Sequence, residues 1–161
     1  MNAKYEHMVN LVRQHAAMER AGDLEAVLAT LVPNPIYTLW NGMRVEGMEA
    51  IREMYTQQLA RRTPVKVEDM APLHVGWSLN PSPGNVIRGM WVNDDAVMID
   101  SLIPHVGPDG TMKEYACAAV FPFENDLITG EHVTTVPEFS AILDEEIEDW
   151  SRVIAVNKAK A

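Results

Sequence analysis

The sequence predicts an α+β fold, and three observations carry the prediction. Apolar residues recur at helical spacing through roughly the first sixty positions. Alternating β-branched and apolar runs, separated by turn residues, fill positions 86–136. Helical spacing then returns after Pro137.

The elements follow in order. Met8, Leu11, Val12, His15 and Met18 line one face of a helix over about residues 4–21. Gly22 ends it, because glycine accepts the left-handed backbone of a helix terminus at low cost. Asp23 caps a second helix with Leu24, Val27, Leu28 and Leu31 on its apolar side, and Pro33 and Pro35 stop it. Residues 36–40 form a short strand, and Asn41-Gly42 a turn. A third helix opens at Gly47 with Met48, Ile51, Met54, Tyr55 and Leu59 on one side, and Glu49 suits its N-terminal dipole. Val65, Val67, Leu73, Val75 and Trp77 alternate as strand fragments interrupted by Pro72, Pro81 and Pro83, with a loop at 80–85. Strands 86–92 and 96–103 flank the turn Asn93-Asp94-Asp95. Pro108-Asp109-Gly110 turns the chain into strand 112–123, and Glu124-Asn125-Asp126 into a return strand over 127–136. Phe139, Ile142, Leu143, Ile147 and Trp150 predict one final acidic helix, after which 157–161 fray. Three short helices cannot seal a long bent sheet, so a cavity between the layers is expected.

Bulk properties narrow the function. The length of 161 residues suits one domain spanning 1–161. A formal net charge of -10, without a basic patch, disfavours nucleic acid and anionic membranes as partners. No apolar run of membrane-spanning length and no leader-like segment is present, so a cytoplasmic location is expected. Cys117 is the single cysteine and lies in an apolar run, which reads as a buried structural thiol.

Three segments carry a family likeness. Residues 12–24, VRQHAAMERAGDL, look like the first helix and turn of bacterial ketosteroid isomerases and SnoaL-like polyketide cyclases. Gly47-Met48-Glu49-Ala50-Ile51 resembles the opening of their third helix, and Asn125-Asp126 with Leu127-Ile128 resembles their late hairpin. The chain thus resembles the SnoaL-like, ketosteroid-isomerase-like and limonene-epoxide-hydrolase-like group of the NTF2-like superfamily. The resemblance implies a cone: a strongly curved mixed or antiparallel sheet around three N-terminal helices, with a C-terminal helix. It also implies homodimers through the outer sheet face. Its members include isomerases, dehydratases, cyclases, epoxide hydrolases and non-catalytic binding or assembly domains, so the fold selects no activity.

Candidate site residues are polar groups in apolar surroundings. His15 matches the position of the oxyanion-holding tyrosine of the isomerases; it is either a ligand-facing donor or a core histidine. The isomerase base falls on Leu39, which accepts no proton. Tyr37 shares the strand face of Leu39 and could orient a ligand, and Trp40 could line a pocket mouth or simply pack. Asp100 interrupts an apolar strand; facing the cavity it would be desolvated and suited to acid–base work, facing outward it is ordinary alternation. By analogy with the epoxide hydrolases, His132 falls near their late acidic residue, with Glu131 where a basic partner would sit. A His132–Asp100 pair could then act as base and orienter. Tyr115 shares a face with Cys117, Ala119 and Phe121 and could bind a ligand through its hydroxyl. No metal-ligand spacing, phosphate loop or nucleophile elbow is present, and neither metal nor cofactor is expected.

The expected function is a cofactor-free general acid–base enzyme of lyase, isomerase, cyclase or epoxide-hydrolase type, acting on a small hydrophobic oxygenated metabolite. His15, Asp100 and His132 would be catalytic, and Tyr37, Trp40 and Tyr115 ligand-binding. The alternative is a non-catalytic small-molecule-binding or assembly domain of the same fold.

Overall fold

A computed structural model describes residues 2–64, 66 and 86–159. The three N-terminal helices form where the sequence places them, except that the second ends at Leu28, short of Leu31, which bridges to Ile128 instead. In α1 (Ala3–Ala21), Asn2 accepts the Lys4 N–H at 3.0 Å. The helix closes at Gly22, whose φ is 73°, with the Asp23 N–H on the Met18 carbonyl at 3.0 Å. Asp23 caps α2 (Leu24–Leu28) by accepting the Ala26 N–H at 3.1 Å. α3 spans Met48–Arg61.

β1 (Ile36–Thr38) is shorter than expected, because the chain folds back at once. Leu39 and Met43 close a tight turn at 2.9 Å, and β2 (Arg44–Glu46) returns antiparallel, with Tyr37 opposite Val45. That strand was not expected from the sequence. The alternation at Val65, Val67, Leu73, Val75 and Trp77, and the loop at 80–85, lie outside the described residues.

The meander is β3 (Val86–Val92), β4 (Ala96–Val106) and β5 (Met112–Glu124). β4 and β5 pair continuously from Ala96–Pro122 to Val106–Met112. This register puts Val97, Ile99 and Ser101 of β4 on the same face as Phe121, Ala119 and Cys117 of β5. All of these except Ala119 are buried, with Met8, Val12 and His15 of α1 and Ile51, Met54 and Tyr55 of α3 among the buried residues opposite.

The return strand expected over 127–136 is split into β6 (Leu127–Ile128) and β7 (His132–Thr135). Gly130 stands at the break. A Cβ there would lie 1.7 Å from the Ile36 carbonyl oxygen, so only glycine lets the chain come this close to β1. Hydrogen bonds from Ile36 N–H to Thr129 O (2.8 Å) and Thr38 N–H to Glu131 O (2.9 Å) fasten the two segments. β7 then runs parallel to β1, giving a mixed sheet in the order β2-β1-β7-β5-β4-β3, with β6 on β5. The fold is therefore α+β, a curved mixed sheet around three N-terminal helices.

The single C-terminal helix expected is two, α4 (Pro137–Glu145) and α5 (Trp150–Val156). Asp149 breaks the run by capping α5 through Ser151 N–H at 2.9 Å, while its own N–H reaches Gln57 Oε1 at 2.7 Å. Among the described residues, no helix is long and apolar enough to cross a membrane.

Replacing Gly130 by alanine is expected to destabilise the fold by at least about 2 kcal/mol, since backbone rather than a movable side chain must give way. Urea unfolding monitored by circular dichroism measures it.

Candidate functional site

A buried hydrogen-bonded array occupies the space between α1, α3 and β1. His15 and Tyr37 are both 1% exposed, as is Tyr55. His15 Nδ1 lies 2.7 Å from Thr30 Oγ1, and Nε2 lies 3.1 Å from the Tyr55 hydroxyl and 3.5 Å from that of Tyr37. The two tyrosine hydroxyls are 3.2 Å apart. Thr30 fixes the direction of this array. Its one hydroxyl proton goes to the Val27 carbonyl at 2.6 Å, so the oxygen can only accept from His15. His15 therefore carries its proton on Nδ1, and Nε2 accepts from a tyrosine. Burial lowers the pKa of His15 against a smaller opposing effect of Glu19, which keeps the ring neutral. Burial also holds both phenols well above their ordinary range, so they remain hydrogen-bond donors.

The segment next to β1 carries a carboxyl group. Glu131 immediately precedes β7 and is half-buried, so that the surrounding protein partly desolvates its carboxyl. That desolvation, reinforced by the Glu19 charge and partly offset by Arg62, pushes its pKa up to about 8. Among the described residues no hydrogen bond or ion pair reaches the Glu131 carboxyl. Its charge and that of Glu19 both act on Tyr37, Tyr55 and Cys117. A carboxyl group whose pKa is raised in this way holds its proton more readily than an ordinary glutamate, which suits it to proton donation and recovery. Cys117 is pushed up to about 12, chiefly by burial, and stays a thiol.

The structure does not bring His15, Asp100 and His132 together. Asp100 pairs with Ala118 on the outer sheet face and forms an ion pair with Arg88 there, so the expected His132–Asp100 pair is not made. His132 is exposed on that same side, because Thr38–His132 pairing turns Glu131 inward and its neighbour outward. Tyr37 lies next to His15 as described. Trp40 donates to Asp144 Oδ1 at 2.8 Å, which ties the β1–β2 turn to α4. Tyr115 stacks on Phe139 of α4, with centroids 5.0 Å apart and an interplanar angle of 10°. The sequence reading missed Tyr55, Thr30, Glu19 and Arg62 as site neighbours and assigned Glu131 a basic partner's place. Tyr55 was visible as a hydroxyl on the apolar side of α3; nothing local marked the others.

Among the described residues, no three His, Cys, Asp or Glu side chains are grouped to hold a metal.

Neither a family model nor a curated protein matches the chain. Solved structures do. An NTF2-like protein of unknown function from Cytophaga hutchinsonii has a TM-score of 0.55 at 15% identity, covering 80% of this chain and 99% of its own. A candidate polyketide cyclase from Xanthomonas campestris pv. campestris has a TM-score of 0.60 at 15% identity, covering 88% and 99%. A de novo designed protein with a curved β-sheet also has a TM-score of 0.60, at 14% identity, covering 94% and 98%.

The raised Glu131 makes a prediction about stability. Its native pKa exceeds its unfolded value, so the native state holds more protons between about pH 4.5 and 8 and stability falls as pH rises through that window. His15, lowered on folding, acts oppositely and costs stability as pH falls below 6.5. Glu131→Gln should therefore flatten the decline toward pH 8, by on the order of 2 kcal/mol after screening. Urea midpoints measured from pH 5 to 9 check it.

Proposed function

We propose, from the NTF2-like fold this chain shares with those structures, that it is a cofactor-free acid–base enzyme acting on a small, mainly hydrophobic molecule bearing a carbonyl or hydroxyl oxygen. One observation supports this most directly: the buried hydrogen-bonded array of His15, Tyr37 and Tyr55, reached at β1 by the segment that carries Glu131, whose carbonyl accepts the Thr38 N–H. In the proposed reaction Glu131 gives its proton to a substrate oxygen, and the carboxylate so formed takes one back from carbon or water. The charge left on Glu131 in that interval is opposed by the Arg62 cation. Neutral His15 serves as acceptor at the far end of the array rather than as the donor suggested by its sequence position. Arg62, the cation that acts on Glu131, is already held by two carboxylates, which favours an uncharged substrate. Isomerisation, dehydration or cyclisation of a ketone or enol fits this set better than epoxide opening, which would use an ionised base to activate water.

A second reading, a non-catalytic small-molecule-binding or assembly domain, is favoured by one observation. Leu39, at the position of the isomerase base, is 2% exposed and can accept no proton. Turnover separates the two readings.

A panel of cyclic ketones and enones incubated in heavy water, with exchange at the α-carbon followed by NMR, supplies the test. The wild type should exchange at least one of them, and Glu131→Gln should lose about 100-fold or more of that rate. Equal exchange by both proteins would sink the assignment, and ligand-induced shifts without any exchange would favour the binding domain.

The assembly proposed with this function is a homodimer through the outer sheet face, where Trp91 and Met98 face each other across β3 and β4 and are 54% and 38% exposed. Sedimentation equilibrium should give a dimer for the wild type and a monomer for Trp91→Glu.

A further inference from the structure

Each proton of the buried array has a traceable destination. Thr30 follows α2, and both of its donors meet one acceptor. Its N–H lies 3.1 Å from the Val27 carbonyl oxygen and its hydroxyl 2.6 Å. The Thr30 oxygen, 2.7 Å from His15 Nδ1, is left to accept, so the ring carries its proton on Nδ1. The partners at both ring nitrogens are hydroxyls, and burial keeps the ring neutral. A neutral ring of this tautomer has a bare Nε2 that must accept a hydrogen bond. Two phenols are in range. Tyr55 lies at 3.1 Å, an ordinary length, and Tyr37 at 3.5 Å, the edge of one. The rings agree with that choice: Tyr55 meets His15 at 68° and Tyr37 at 88°, edge to face with both. The Tyr55 proton is therefore committed to His15. The Tyr37 hydroxyl, 3.2 Å from that of Tyr55, gives its proton to the Tyr55 oxygen. This last proton is the one that can be diverted. A Tyr55 oxygen deprived of it still has the bond it donates, whereas Nε2 deprived of Tyr55 has none.

We infer that the array has a fixed polarity, running from Tyr37 through Tyr55 and His15 to Thr30 and the Val27 carbonyl, and that Tyr37 holds the one hydroxyl hydrogen bond it can give to a substrate oxygen. The inference rests on the acid–base reading of the site. It divides two tyrosines that are equally buried and equally phenolic. Tyr37 is the residue that meets the substrate oxygen. Tyr55 and His15 are positioning residues, since each holds the next group in line. The order is opposite to the one that the family likeness implies, where the position of His15 carries the donor. The group that Tyr37 meets must be an acceptor, which suits a carbonyl. Tyr37 gives a hydrogen bond and keeps its proton; the proton that is transferred remains that of Glu131.

The polarity is read by NMR of the full-length protein without substrate. Histidine ring nitrogens are labelled with 15N, and His15 is assigned by its absence in His15→Gln. The wild type near neutral pH should show a neutral His15 ring with its proton on Nδ1. Tyr55→Phe should move the Nε2 resonance, and Tyr37→Phe should move it by less than half as much. Turnover reads the division of the tyrosines a second way. In heavy-water exchange of cyclohex-2-enone, Tyr37→Phe should lower kcat by at least about tenfold, and by more than Tyr55→Phe does. A ring protonated on Nε2 or on both nitrogens overturns the inference. Nε2 shifts of equal size in the two phenylalanine variants overturn it too, as does a kcat that falls further in Tyr55→Phe. Should Tyr55→Phe not fold, the wild-type tautomer and the small shift expected in Tyr37→Phe still decide. If the ring resonances behave as expected while no ketone or enone exchanges, the polarity stands and the enzyme reading alone fails.

Discussion

A carboxyl group moved away from water must either keep its proton or find a cation, and the surroundings of Glu131 push it toward the first choice by raising its pKa. The neighbouring arrangement is consistent with that constraint. Thr30 spends its proton on the Val27 carbonyl, which orients His15, which in turn leaves the tyrosines as neutral donors. No element of this set is charged. The nearest strong charges are displaced to the rim, where Arg62 binds Glu19 and Glu146. The neutral interior and the charged rim are thereby kept apart.

The fold supplies the geometry through alternation and one close approach. Inner and outer residues alternate along β4, β5 and β7, so each strand offers half its side chains to the helices. Gly130 lets the chain pass against Ile36, and that contact fixes which residues of the following strand turn inward. The outer face carries a different chemistry: the Arg88–Asp100 ion pair and the exposed Trp91, whose ring lies over Gly89. α4 joins the two ends of the site region by unlike contacts, Phe139 on Tyr115 and Asp144 on Trp40.

Much of the fold was legible because local signals and tertiary structure agree. The Gly22 terminus, the Asp23 cap and the turns at Asn93–Asp95 and Pro108–Gly110 each rest on backbone preferences that packing does not override. The split of the return strand was not legible, because its cause is a collision with Ile36, nearly a hundred positions away in sequence. The site was legible in part. His15 and Tyr37 announce themselves as polar residues on apolar faces. Asp100 does so equally, and alternation alone cannot say which side of a sheet is covered. Glu131 was masked by the same ambiguity: counting along a strand with an unrecognised break exchanges each inward residue for its neighbour. Glu19 and Arg62 read as an ordinary helix surface, since their partnership depends on the packing of α1, α3 and α4.

Gly130 also locks the strand in place. Glu131 and His132 are adjacent, one inward and one outward, and a slip of one position would exchange them. It would also press a side chain into the Ile36 carbonyl, so the crossing that brings the chain against β1 holds the acid on the inner side and the imidazole on the outer one.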